Sequence, residues 1–78
     1  MTTQVIPTTA QALASAPAGL VVWLGPAGKP TVGTLEMFHA RSPSGPDQAT
    51  EAEWSAAVEG AKSLAHRGAG LVYVVREA

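Results

Sequence analysis

The sequence predicts a small α+β domain. A three-stranded antiparallel sheet of spatial order 2-1-3 carries one short and one long helix, in chain order αββαβ. Three observations lead there. Two short apolar runs, Leu20–Leu24 and Leu71–Val75, follow glycines and are rich in β-branched and aromatic residues. The stretch from Thr50 to Gly68 repeats its apolar residues at helical spacing. The 78 residues leave room for one domain, spanning 1–78.

Each element has a local reason. Residues 1–7 form a lead-in that ends at Pro7. Thr8 and Gln11 have capping-box spacing, and Ala10, Leu13 and Ala14 follow at i, i+3, i+4, which predicts a short helix over Thr9–Ala16. Pro17 and Gly19 stop it. Leu20–Leu24 is apolar without alternation, so both faces of that strand should be covered. Gly25 to Pro30 is dense in turn residues, and Thr31–His39 reads as the returning strand of a hairpin. Gly33 interrupts that strand and marks a bulge or a close backbone approach. Arg41–Gln48 reads as a mobile loop.

The long helix begins at a capping box, Thr50 with Glu53. Trp54, Ala57, Val58, Ala61, Leu64 and Ala65 form its apolar stripe, and Gly68 supplies its stop. Gly60 lies at the border of the stripe, where close packing would offset a cost of about 1 kcal/mol relative to Ala. The hairpin reverses the chain and the helix returns it, so the last strand should run antiparallel to Leu20–Leu24 at a sheet edge. An alternative makes Gln4–Ile6 a further strand of a ferredoxin-like βαββαβ fold. That order would expose Leu20–Leu24 at an edge, and an apolar edge strand is a liability.

Composition narrows the function classes. With 46% hydrophobic residues and 14% charged, the chain is too apolar to be disordered. No cysteine is present, which excludes disulfide scaffolds and thiolate zinc sites. A net charge of -1 lacks the basic excess of a nucleic-acid binder, so no direct nucleic-acid contact is expected. The longest apolar runs fall far short of the roughly 20 residues a spanning helix needs, so no membrane partner is expected. Ala12–Ala16 resembles a small-residue cleavage site, but no basic or apolar leader region precedes it, and the chain reads as cytoplasmic and unprocessed.

No diagnostic catalytic motif is present. Gly25–Thr31 invites comparison with a phosphate-binding loop, but its glycine spacing is short, Pro30 follows the lysine, and a strand rather than a helix comes next. On a strand, Glu36 and His39 would face opposite ways, and His66 is explained as a cation at a helix C-terminus. Two histidines without cysteine do not make a metal site. Ser42, Ser44, Ser55 and Ser63 lack a nucleophile elbow. The expectation is therefore no enzyme, no cofactor and no metal.

Two surface features remain. Asp47, Glu51, Glu53 and Glu59 lie between Arg41 and Lys62 with no basic residue among them, and would form a partner-binding acidic patch. The last strand, with Tyr73 and Val75, would be an apolar edge able to pair with a partner or across a homodimer axis. The bulky side chains are few, which also favours association. In size, Ala/Gly/Pro-rich composition and the acidic stretch Asp47–Glu59, the chain resembles phage or mobile-element inhibitors of the anti-CRISPR kind. That resemblance implies a protein inhibitor in the cytoplasm of a bacterial host, binding a CRISPR effector subunit and blocking target DNA or nuclease recruitment. The alternative is a homo-oligomeric structural or accessory subunit of a phage or bacterial complex.

Overall fold

A computed structural model describes residues 3–25, 28–41, 47–68 and 70–76. Four strands, β1 (Gln4–Thr8), β2 (Leu20–Leu24), β3 (Pro30–Thr34) and β4 (Leu71–Val75), form one mixed sheet of order β1-β4-β2-β3. Two α-helices accompany them, α1 (Leu35–His39) and α2 (Glu51–Ala65), with a single 3-10 turn at Ala12–Ser15. The α+β class and the long helix agree with the sequence reading. The three-stranded antiparallel sheet does not.

Strand direction explains the largest difference. β2 and β3 form the expected antiparallel hairpin, but β4 runs parallel to both β2 and β1. The sequence alone assigns the return journey to α2. In fact the chain is back at the hairpin end before α2 starts: Gln48 N donates to Gly28 O at 3.3 Å, and Lys29 Nζ lies 3.2 Å from a Glu53 carboxylate oxygen. The helix then descends toward the start of β2, and β4 climbs beside it. The parallel pairing also rules out the ferredoxin-like alternative, although its extra strand exists.

The lead-in is that strand. Gln4 N donates to Gly70 O at 3.0 Å, and Gln4 to Thr8 pair in register with Leu71 to Val75. β4 therefore lies between β1 and β2, and Tyr73 and Val75 are buried rather than at an edge. The free edges are β1 and β3. Because backbone groups alternate sides along a strand, the inward-donating Gln4 places the Pro7 nitrogen on the outward side of β1. The Gly25 N to Lys29 O bond at the base of the hairpin places the Pro30 nitrogen outward on β3 in the same way. Each edge thus has a gap in its row of donors, a common device against strand addition.

Both faces of the sheet are covered, as the unbroken apolar run at Leu20–Leu24 predicts. Val21, Trp23, Tyr73 and Val75 point to one face with Leu13 and Phe38, while Val22, Leu24 and Val72 point to the other with Trp54, Ala61 and Ala65. One layer is α2. The other is built from the 3-10 turn and α1, and both were misread from sequence. The expected helix Thr9–Ala16 shrinks to the 3-10 turn because Thr8 is committed to β1, and Thr9 Oγ1 accepts from Ala12 N instead. The expected strand Thr31–His39 ends at Thr34, whose Oγ1 accepts from Met37 N at 3.2 Å and caps α1.

Three glycine readings resolve. Gly33 makes a close approach: a Cβ there would sit 2.7 Å from Trp23 Cη2. The turn into β4 is made at Gly70, with φ of 73°, whose N donates to Ala65 O, rather than at Gly68. Gly60 has no packing role, since a Cβ there would meet nothing within 4 Å. Gly60→Ala is therefore expected to stabilise the domain by about 1 kcal/mol, read as a higher urea midpoint. An unchanged or lower midpoint would contradict this.

Candidate functional site

Two of the four acidic residues are held by partners far away in sequence and two by near neighbours. Asp47 Oδ1 accepts from Ala49 N at 2.9 Å, closing a turn before α2. Glu51 receives two hydrogen bonds from Arg76 beyond β4, one of 3.1 Å from Nη1 and a second from Nη2. Glu53 completes the capping box with Thr50 and meets Lys29 of the hairpin. Glu59 pairs with Lys62 at 3.0 Å along the helix. Three of the four carboxylates, those of Glu51, Glu53 and Glu59, have a cation beside them. Two of those cations, Lys29 from the hairpin turn before β3 and Arg76 just after β4, are not legible in the local charge pattern.

These contacts set the acid response. Hydrogen bonds and charge from Arg76 hold the Glu51 carboxyl below its ordinary pKa of 4.5. The Thr50 backbone N–H, then the Lys29 ammonium, do the same for Glu53. Hydrogen bonding to Glu51 raises Arg76. A carboxylate with a depressed folded-state pKa stabilises the fold above its unfolded value and loses that contribution as pH falls through the folded value. The urea midpoint is therefore expected to drop as pH falls below about 4.5. The double variant Glu51→Gln, Glu53→Gln should show a shallower acid limb, and an identical limb would refute the assignment.

The catalytic and metal candidates do not converge. Glu36 and His39 share a single turn of α1 rather than a strand, so they lie on one side of that helix, but both are exposed. The His39 ring packs edge-on against Phe38 at 5.7 Å. His66 caps the end of α2, and Ser55 and Ser63 are exposed on that helix. Ser42 and Ser44, with most of the loop read as mobile, lie outside the described residues. No group of three metal-ligating side chains occurs among the described residues.

What the fold does assemble is an apolar groove at the end of the sheet where β2 begins. Its walls are Ala18–Leu20, the junction Thr34–Glu36 between β3 and α1, and Leu64, Ala65 and Gly68 of the α2 terminus. The cavity is about 550 Å³, within the roughly 300–1,000 Å³ of typical binding clefts. Leu64, 55% exposed, stands in it. Met37, 53% exposed, lies next to the Glu36 wall. These are the two large hydrophobic side chains left exposed among the described residues.

Sequence reasoning missed this groove for a specific reason. Helical spacing alone places Leu64 in the core stripe with Trp54, Ala61 and Ala65, which are indeed buried. Leu64 instead stands 55% exposed in the groove, and no local pattern marks that. Comparison with family models, curated proteins and solved structures finds no match for this chain. The groove therefore has to be read from its own chemistry, which is apolar walls with one carboxylate, Glu36. A cleft of this size and lining has the dimensions of a site for an apolar side chain.

Proposed function

We propose that this chain is a non-enzymatic protein-binding module that inhibits by occupying a surface of its partner. The observation that carries the reading is the open apolar groove with Leu64 exposed in it. Isolated domains this small have little apolar surface to spare, and an exposed leucine beside a cleft is the kind of anchor that buries on association. The exposed carboxylates Glu51 and Glu59 of α2 are paired with Arg76 and Lys62, so their charge adds little to the reading and the groove carries it. The partner class that the anti-CRISPR resemblance implies is a CRISPR effector subunit, whose nucleic-acid-binding surface is basic by necessity.

Plasmid interference in a bacterial host carrying an active CRISPR system tests this directly. Co-expression of the chain is expected to raise plasmid survival. Leu64→Asp should abolish the effect while leaving the urea midpoint close to that of the parent, because Leu64 is not buried in the fold. Full interference in the presence of the chain would overturn the anti-CRISPR form of the proposal. Capture of a partner by immobilised chain that is unaffected by Leu64→Asp would overturn the role of the groove.

A further inference from the structure

We infer that the groove selects a partner segment in which a bulky apolar side chain is followed by Lys or Arg. This deepens the protein-binding reading and rests on it. The apolar part follows from the walls: Leu20, Leu35, Leu64 and Ala65 present hydrocarbon to a cleft large enough for an aromatic or leucine side chain. The cationic part follows from charge complementarity.

Two negative features meet at this groove. Among the described residues Glu36 is the only charged one in the groove's walls, and its carboxylate forms no ion pair with any of them. The opposite wall, Leu64, Ala65 and Gly68, belongs to the C-terminal end of the 15-residue helix α2, the negative pole of its dipole. The cations of that helix end are directed elsewhere. Lys62, His66 and Arg67 line a separate shallow cleft with Thr3 and Ser63, and Lys62 is bonded to Glu59. An apolar side chain entering the groove thus carries its neighbouring residue toward an unpaired carboxylate and a negative helix pole. A Lys or Arg there gains on both counts, a neutral residue gains on neither, and an Asp or Glu is repelled.

The same chemistry fits the inhibitor reading. A nucleic-acid-binding surface interleaves cations with apolar and aromatic side chains, so it offers such segments on its exterior. The groove would then engage the surface that the nucleic acid needs.

Amide chemical shifts of the full chain, titrated with three peptides, test the inference. The probes are the acetylated and amidated pentapeptide Ala-Leu-Phe-Arg-Ala and its analogues with Gln or Glu in place of Arg. All three titrations should be read at Leu20, Leu35, Ala65 and Gly68. The arginyl peptide is expected to bind about fivefold more tightly than the glutaminyl one, the size of an exposed ion pair, and the glutamyl peptide more weakly still. Glu36→Gln should erase most of that preference while preserving the shifts, and Glu36→Lys should invert it. Equal affinity for the three peptides, or a preference that survives Glu36→Gln, would overturn the inference and leave protein binding standing. Shifts confined to Lys62, His66 and Arg67, or none at the groove, would overturn it as well. Failure of the broader reading is seen separately, as full plasmid interference in the presence of the chain together with no partner captured by the immobilised chain.

Discussion

Phe38→Ala is expected to unfold most of the domain at room temperature. Phe38 is 1% exposed, and it is the largest side chain that the sheet buries completely on the face opposite α2. Its ring meets Trp23 edge-on at 5.7 Å, and the Arg41 guanidinium lies 3.9 Å above it. Arg41 Nη1 also donates to Phe38 O at 2.9 Å, which folds that arginine over the ring as a lid. Truncation removes the transfer energy of the ring, leaves a cavity and strips the arginine of its platform, a loss of about 3–5 kcal/mol. A single core of this size supplies roughly the same amount in total. Urea titration followed by far-UV circular dichroism should find Phe38→Ala largely unfolded without denaturant, and Phe38→Leu folded with a lowered midpoint. A parent-like midpoint for the alanine variant would mean that α1 is not a structural layer.

Leu13→Ala is the second large effect, at about 2–5 kcal/mol. The 3-10 turn that carries Leu13 has four residues and no side-chain cap on Gln11, so it has little stability of its own. Leu13, 1% exposed, pins the crossover from β1 to β2 against Val21, Tyr73 and Val75. A second tie follows it, the Tyr73 hydroxyl donating to Pro17 O at 2.8 Å. Loss of Leu13 should therefore loosen β1 before the rest of the sheet. Amide exchange should be fastest in Gln4–Thr8 for this variant, with β2 retaining more protection. Uniform acceleration across all four strands would show that the crossover does not open by itself.

These two residues also mark where the sequence was legible and where it was not. Elements whose stability is local were plain: the Thr50–Glu53 capping box places the start of α2, and the β2–β3 hairpin follows from its turn residues. The covered faces of β2 were visible in its unbroken apolar run. What stayed hidden depends on distant partners. Gln4–Thr8 has a proline and no alternation to declare it a strand, and it becomes one because β4 offers a parallel row of bonds. Leu35–His39 continues an apolar stretch that looks like strand, and only the Thr34 cap turns it into helix. The acidic stretch is visible in the sequence, but its pairing with the distant cations Lys29 and Arg76 is not. Helical periodicity assigns Leu64 to the core and does not report that it stands exposed.

The position of β4 has a consequence for how the chain can be made and cut. The central strand that joins the sheet is the last of the four along the chain, and it pairs with the first as well as with the second. Until it emerges in synthesis, β1 has no neighbour and β2–β3 is a lone hairpin, which is at best marginally stable in water. A ribosome-bound chain stopped before Leu71 should be as protease-sensitive as an unfolded one, and Gln4 has to wait for a partner 67 positions downstream, since Leu71 minus Gln4 is 67. Folding of this sheet is thus deferred until β4 has left the ribosome, and release of that strand acts as the commit step.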